Sequence, residues 1–411
     1  MQVEVHKLTY TNNAMATILF CSHLGLDKTD VKPYTTREWN TLQDRLTEAG
    51  FQGPGIFIEQ TLTEIDKKLI FQESEKERIN KLLSRGAAVG LLLEKYSKRG
   101  IHVITRAEKN FPKLLRSRLK LNTPPFLFYC GQIELANKMG IAVVGSRSLE
   151  EQGIRFVQEL AEKAVDEKLV IYSGGAKGVD FIAQQTAIAK GGLVVSYIAD
   201  AMTKKIQDKD ILKAIESKQL LLLSDTNPDI GFTVAKAMNR NKFIYASSCG
   251  AVAVAADLKK GGTWTGAVEN LNHNWVSLGV WNTNLYSGNQ ELIERGAVGI
   301  DKVTDFSFQK FIEGTLKPQV QKEEPYQLEL LFTNQVSEET GGYKSELKSS
   351  KKTSYDIMLP YLLEFLEKEK NIEQLCEAFE TVKTQMQKWL TRAVKEGMVK
   401  KLNRPVRYVK K

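Results

Sequence analysis

Two stretches of sequence decide the fold: Ile141-Ala-Val-Val-Gly-Ser-Arg147 and Val170-Ile-Tyr-Ser-Gly-Gly-Ala-Lys-Gly-Val-Asp180. In each, an apolar β-prone run stops at small residues and a cation, and a helical pattern follows at once. This order is typical of a phosphate site, because glycine lets backbone N–H groups approach an anion and a helix start offers unpaired N–H groups. The close spacing of the stretches predicts neighbouring parallel strands whose loops open on one edge of a sheet.

Neither loop carries a complete nucleotide-binding motif. The segment Gly174-Gly-Ala-Lys-Gly178 lacks the spacing of a Walker A loop, and neither stretch contains GxGxxG. Ordinary tight turns between strand and helix are therefore the alternative. The cation in both turns, Arg147 in one and Lys177 in the other, favours an anion site.

The surrounding region has the pattern of an α/β sheet. Further strands are predicted at 192–197, 219–223, 250–254 and 275–280, and helix-length patterns separate them. Strands that are apolar along their whole length indicate a parallel sheet covered on both faces. The predicted fold class is α/β, with a Rossmann-like parallel sheet domain over residues 100–314.

Two more loops are predicted at strand ends, Ala237-Met-Asn-Arg-Asn-Lys242 and Lys259-Lys-Gly-Gly-Thr-Trp-Thr-Gly266. The first brings cations and amides, and the second brings glycines and hydroxyls ahead of a helix. Loops at the carboxyl ends of parallel strands converge on one crevice. We therefore predict one pocket with four positive charges, from Arg147, Lys177, Arg240 and Lys242.

Composition predicts a cytoplasmic globular protein. With 411 residues, 42% of them hydrophobic, the chain is long enough for two or three domains with real cores. The four cysteines form no CxxC pair and share no metal-ligand spacing with the four histidines, so we expect a reduced protein without structural zinc. No signal-peptide pattern or membrane-length apolar run is present, so we expect neither secretion nor membrane insertion.

The positive charge is concentrated at the C-terminal end. Residues 381–411 contain ten Lys and Arg residues and one acidic residue, so they carry the whole formal net charge of +9. Residues 353–411 also have the pattern of a winged helix, with a third helix at Val382–Lys395 and a hairpin at Met398–Val409. The third helix usually meets DNA, although some winged helices contact proteins instead. The predicted DNA face consists of Lys388, Arg392 and Lys395.

Two further segments complete the predicted domain order. Residues 1–99 show the apolar periodicity of a helical N-terminal domain, and residues 315–352 have the composition of a flexible linker. An apolar island in the linker, Gln327-Leu-Glu-Leu-Leu-Phe332, resembles the short motif by which bacterial DNA-processing proteins bind the sliding clamp. A hydrophobic contact with the chain's own domain is the alternative.

The motifs in the first half of the sheet domain resemble those of the DprA/Smf family of DNA processing proteins. The matching segments are Gly100-Ile-His-Val-Ile-Thr105, Phe111-Pro112, Pro124-Pro-Phe-Leu-Phe128, Val144-Gly-Ser-Arg147 and Ser173-Gly-Gly-Ala-Lys-Gly-Val-Asp180. The resemblance extends over about residues 100–300 and to the order of the domains. It implies a Rossmann-like domain that binds single-stranded DNA as a homodimer, without catalysis, in natural transformation. A RecA-type recombinase is the implied partner.

The resemblance also implies which residues contact DNA, and we expect no metal or cofactor. To these positions we add two residues of the last predicted loop. The predicted DNA and phosphate ligands are Ser146, Arg147, Gly174, Gly175, Lys177, Gly178, Arg240, Lys242, Gly262 and Thr263.

The sequence departs from the family pattern in the second half of the pocket. Gln184 stands where the family has a histidine. The family's Phe-x-x-Arg-Asn-Arg and Ser-Gly-Thr segments appear as Met238-Asn-Arg-Asn-Lys242 and Gly261-Gly-Thr-Trp264. These differences indicate a divergent branch, which leaves the process open between transformation, mobile-element and phage-defence functions.

A nucleotide sensor or a nucleotide-phosphate hydrolase is the alternative function. Hydrolases of the same superfamily carry catalysis on a Gly-Gly-x-Gly-Thr-x-x-Glu loop, which the segment Lys260–Glu269 matches loosely. Glu269 or Asp180 would then act as a general base beside a bound phosphate.

Overall fold

The structure is a computed structural model that describes residues 10–26, 31–314 and, with gaps, 359–410. Contacts divide the chain into two compact units, Met1–Gln327 and Leu328–Lys411. Among the described residues, the first unit contains the sheet with the helices before and between its strands, and the second contains helices and a hairpin.

A nine-stranded sheet is the centre of the described part of the first unit. Its strands are β1 (Ile101–Thr105), β2 (Phe126–Cys130), β3 (Gly140–Val144), β4 (Val170–Ser173), β5 (Val194–Tyr197), β6 (Leu220–Ser224), β7 (Gly250–Ala253), β8 (Leu278–Trp281) and β9 (Val298–Ile300). They lie side by side in the order β1-β2-β6-β5-β4-β3-β7-β8-β9. Neighbours from β6 across to β9 are parallel, whereas β1 and β2 pair antiparallel at one edge. The α/β class is confirmed, and the sheet is mixed rather than wholly parallel.

The strand order reverses between β3 and β7. From β3 the chain adds β4, β5 and β6 on one side, and it then returns to add β7, β8 and β9 on the other. In open α/β sheets, the crevice beyond the carboxyl ends of the strands at such a reversal is the usual ligand site. The loop Gly145–Arg147 leaves β3 at this point.

Helices pack on both faces of the sheet. Those of the first unit are α1 (Asn12–Cys21), α2 (Thr36–Glu48), α3 (Ile56–Glu59), α4 (Leu62–Asp66), α5 (Glu73–Leu83), α6 (Gly86–Ser97), α7 (Lys113–Leu119), α8 (Glu151–Asp166), α9 (Val179–Ala189), α10 (Met202–Lys205), α11 (Lys209–Glu216), α12 (Val234–Ser247), α13 (Gly261–His273), α14 (Ser287–Glu294) and α15 (Phe308–Ile312). Alternate residues of each strand point to opposite faces, so Ile141 and Val143 join one buried cluster while Ala142 and Val144 join another. Helices α8 and α9 cover the first face, and α12 and α13 cover the second.

The N-terminal helices share a core with the first face of the sheet. Phe20 of α1 and Trp39 of α2 are fully buried, and their ring centroids lie 5.5 Å apart. At the end of α6, the hydroxyl of the buried Tyr96 donates to Asp229 Oδ2 at 2.7 Å and lies 3.0 Å from Asn227 Oδ1. The helical segment is thereby tied to the loop between β6 and α12.

The described part of the second unit contains α16 (Ile372–Ala378), α17 (Lys383–Lys395), β10 (Val399–Asn403) and β11 (Val406–Lys410). Strands β10 and β11 pair antiparallel. Leu375, Met386 and Leu390 are buried together in a small core of their own. A helix at Lys383–Lys395 and a hairpin are therefore present within the segments where the sequence predicts them.

Some predictions fall on residues or side chains that are not described. These are the linker at 315–352, its Gln327–Phe332 motif and the side chain of Lys388. Arg392 and Lys395 are exposed on α17, and Arg392 Nε donates to Glu396 Oε1 at 2.7 Å. Within the described ranges, no helix combines the length and apolar character that a membrane crossing requires.

The link between Tyr96 and Asp229 yields a stability prediction. Tyr96→Phe removes the hydroxyl donor, and we expect it to lower the free energy of unfolding by about 1–2 kcal/mol. The matched control is Tyr245→Phe, because the Tyr245 hydroxyl is buried without a hydrogen-bond partner and its loss is expected to be neutral or stabilising. Urea unfolding of both variants measures the difference, and equal effects of the two substitutions would contradict the assigned role of Tyr96.

Candidate nucleic-acid interface

The loops after β3, β4 and β7 are in direct contact. The backbone N–H of Val179, at the start of α9, donates to the carbonyl oxygen of Ser146 at 3.2 Å. The N–H of Ser146 donates in turn to the carbonyl oxygen of Ala255, just beyond β7, at 2.9 Å. The loops that contain Arg147 and Lys177 therefore lie side by side, at the point where the strand order reverses.

Glycine is required where the two loops meet. Gly178 has φ +80°, and a Cβ at this position would lie 2.3 Å from the Ser146 carbonyl oxygen. A Cβ at Gly145 would lie 2.3 Å from Val179 Cγ2. The backbones approach closely because neither glycine has a side chain.

The buried carboxyl group of Asp180 lies on the interior side of the Gly174–Gly178 loop and accepts hydrogen bonds from its backbone. Its Oδ2 accepts hydrogen bonds from the N–H groups of Gly174 at 3.1 Å and Ala176 at 3.4 Å. Burial raises the pKa of Asp180 above its ordinary value, while Arg240 and these two N–H groups favour the carboxylate. The N–H of Gly174 thus serves the loop itself and does not face a ligand.

Arg240 packs directly against this loop. A Cβ on Gly174 would lie 1.4 Å from Arg240 Nη1, so only glycine leaves room for the guanidinium. The Arg240 residue is 5% exposed, and its Nε has no hydrogen-bond partner. Burial lowers the pKa of Arg240 and nearby Arg147 lowers it further, whereas Asp180 opposes this shift. An arginine nonetheless stays protonated in proteins, so the loop rests on a buried positive charge.

The predicted loop at Ala237–Lys242 is wrong, because these residues lie inside α12. Its N-cap is Thr233, whose side chain accepts from the N–H of Lys236. Two residues apart on the helix, Arg240 and Lys242 point in different directions. Lys242 acts on the carboxyl groups of Asp225 and Glu269, whose pKa values burial raises and Lys242 lowers.

The segment Lys259–Gly266 is only partly a loop. Helix α13 begins at Gly261, so Gly262 and Thr263 occupy its first turn. Asn241 Nδ2 donates to the carbonyl oxygen of Gly262 at 3.1 Å, which joins this turn to α12. The predicted positions thus come from two loops and two helices rather than from four loops.

Several groups at the crevice remain open to an anion. Arg147 and Lys177 are exposed. The backbone N–H groups of Gly175, Lys177 and Gly178 have no acceptor among the described residues. Exposed cations above backbone donors form a surface that suits phosphate.

Gln184, which replaces the family histidine, is buried beside the same loop. Its Nε2 donates to Ser196 Oγ at 3.0 Å. A Cβ on Gly175 would lie 2.8 Å from that hydroxyl oxygen, so Ser196 supports the turn from below. Gln184 therefore supplies a polar contact under the loop.

The carboxylates considered for catalysis are buried or half-buried. Asp180 lies beneath the loop, bonded to its N–H groups. Glu269 lies more than two turns into α13 and is half-buried. Within the described residues, no cluster of His, Cys, Asp and Glu has the arrangement of a metal site.

Phe232 contacts a residue of the candidate site, and the sequence had not singled it out. Its ring lies beneath the Arg147 guanidinium, whose Cζ is 5.2 Å from the ring centroid. The residue immediately precedes Thr233, the N-cap of α12. An aromatic residue just before a helix cap in a polar segment was the available signal.

Comparisons with known proteins agree with this architecture. Residues 102–310 match the family described as DNA recombination-mediator protein A. The DNA processing protein DprA of Streptococcus pneumoniae is 28% identical over 200 residues, which are 46% of this chain and 68% of that protein. Its Bacillus subtilis counterpart is 26% identical over 272 residues, 65% of this chain and 87% of that protein.

A solved structure shares the fold. The crystal structure of DNA processing protein A from Streptococcus pneumoniae superposes with a TM-score of 0.54 at 20% identity, covering 73% of this chain and all of that one. Since the family match spans half of the chain and agrees with the DprA/Smf motifs, this chain belongs to the DNA recombination-mediator protein A family.

Proposed function

We propose that this protein binds single-stranded DNA without catalysis, in the crevice between β3 and β7, and hands the strand on during recombination. The observation that carries the proposal is the 3.2 Å hydrogen bond from Val179 to Ser146. It places Arg147 and Lys177 on adjoining loops, where consecutive phosphates of one strand reach both cations. Membership of a recombination-mediator family supports DNA as the polyanion.

The charges of the site divide into two groups with different tasks. Arg147 and Lys177 are exposed and form direct contacts with phosphate oxygens. Arg240 is buried under Gly174 and adds a positive field without leaving the protein interior. Because a buried charge is screened little by salt, part of the attraction persists at physiological ionic strength.

The C-terminal unit supplies a second DNA contact in this proposal. Helix α17 buries Met386 and Leu390 and exposes Arg392 and Lys395, and a hairpin follows it. This arrangement supports a winged helix with a basic outer face. Arg392 is also paired with Glu396, so Lys395 is the stronger candidate for a phosphate contact.

The partners and the process remain predictions. They comprise the homodimer, the RecA-type recombinase, the sliding clamp and the choice between transformation and other DNA transactions. The nucleotide hydrolase is the weaker function on geometric grounds, because Asp180 is bonded to the backbone N–H groups of the loop and Glu269 is half-buried more than two turns into α13.

The double substitution Arg147→Ala and Lys177→Ala tests the binding surface. We expect affinity for a thymidine oligonucleotide at low salt to fall at least about a hundredfold, because two charge-assisted contacts are lost. Lys138→Ala with Lys213→Ala is the matched control, since it removes two exposed positive charges, one just before β3 and one on α11, that lie outside the two loops. Fluorescence anisotropy across a salt series measures both variants, with a duplex as a second ligand.

Two results would count against the proposal. One is unchanged affinity in the Arg147 and Lys177 variant, and the other is an equal loss in the control. Release of free base from nucleoside monophosphates by the intact protein would favour the hydrolase instead.

Gly178→Ala tests whether the contact between the loops matters for binding. The added Cβ collides with the Ser146 carbonyl, so we expect about 1–3 kcal/mol of destabilisation and a weaker affinity for DNA. Gly191→Ala is the control, because Gly191 also has φ +80° but no atom lies within 4 Å of its added Cβ. Urea unfolding and anisotropy together separate backbone strain from loss of the contact. Equal DNA affinity in the two variants would show that the loop contact is dispensable.

A further inference from the structure

A patch of exposed apolar side chains lies at the start of α12. Phe232 is 44% exposed, and it is accompanied by Ile230, Val234 and Met238, each more than a third exposed. Large apolar side chains grouped on a surface commonly mark a binding site. None of these apolar residues is among the positions predicted to bind phosphate.

The segment that presents Phe232 is held on both sides. Thr203 Oγ1 donates to Asp229 Oδ1 at 2.9 Å, and the Tyr96 hydroxyl donates to the other oxygen of the same carboxyl group. On the far side, Lys236 Nζ donates to the carbonyl oxygen of Gly231 at 3.2 Å. Because the backbone around Phe232 is restrained in this way, binding of a flat ligand to the ring costs little conformational entropy.

Arg147 connects this ring to the phosphate loops. The guanidinium lies 5.2 Å from the Phe232 ring centroid, yet its backbone belongs to the loop that contacts Gly178 and Val179. One side chain thus borders both an aromatic surface and an anion surface. A nucleotide presents the same two chemistries, an aromatic base and a phosphate, next to each other.

We propose that Phe232 forms a stacking subsite for an unpaired nucleobase, with Arg147 binding the adjacent phosphate. The proposal rests on the proposed function and names the part of the strand that the site recognises besides its charge. Bases in a duplex are already stacked and paired, so this subsite favours single strands. Stacking tolerates any base, because every base has a π-face.

The test compares a thymidine oligonucleotide with an abasic oligonucleotide of equal length, which has the same charge but no bases. For the intact protein we expect tighter binding of the thymidine strand. Phe232→Ala and Phe232→Leu are expected to weaken that binding about tenfold and to leave the abasic affinity unchanged. Phe232→Tyr keeps the ring and is expected to bind both strands as the intact protein does.

Leu212→Ala is the matched control, because Leu212 on α11 is an apolar residue with similar exposure, 42%, that lies outside the patch. We expect it to change neither affinity. Size-exclusion chromatography of the Phe232 variants is expected to show the same oligomeric state as the intact protein.

Three outcomes overturn the subsite while leaving the proposed function intact. They are unchanged thymidine binding in Phe232→Ala, an equal loss for thymidine and abasic strands, and a shift in oligomeric state, which would make the patch an interface between copies of the chain. Failure of the intact protein to bind either strand would instead overturn the proposed function, and the subsite with it.

Discussion

The buried carboxyl group of Asp180 is the constraint on which the site depends. By accepting from Gly174 and Ala176, it draws the backbone of the second loop inward. That conformation leaves Gly178 at positive φ and in contact with the first loop. A buried acid with two backbone donors and a nearby arginine is costly to remove, because the remaining groups lose their partner in a low-dielectric interior.

This arrangement assigns the glycines of the second loop to different tasks. Gly174 makes room for the Arg240 guanidinium, while Gly178 allows the contact with Ser146. Their N–H groups are not interchangeable, since that of Gly174 is used within the loop and that of Gly178 is open. The loop resembles a simple phosphate cradle in sequence, yet part of its composition makes room for the buried Arg240 guanidinium.

The sheet was accessible to sequence reasoning because strands buried on both faces are continuous apolar runs. In the nine-stranded sheet, β3 to β8 coincide with the strands predicted above, whereas β9 was missed because Val298-Gly-Ile300 is short and only partly buried. The segment around Arg240 was predicted as a loop because Asn-Arg-Asn is typical of turns. Packing of Phe243 and Ile244 on the sheet overrides that local preference and keeps the segment helical.

The site was accessible in part. Adjacent strands with glycine-rich ends predicted that two cations would meet, since topology places them at one edge. Contacts between distant segments were not predictable in this way, because Phe232 beneath Arg147 depends on the path of the chain after β6. Burial of Arg240 likewise depends on the missing side chain at Gly174.

The hydrogen bond from Tyr96 to Asp229 has a consequence for the evolution of the protein. The N-terminal helices and the segment ahead of α12 are far apart in sequence, yet selection on one is felt by the other through this carboxyl group and Thr203. A homologue without the N-terminal helices would also lack this hydrogen bond to the loop beside the candidate site. We therefore expect the residues at positions 96, 203 and 229 to co-vary among relatives.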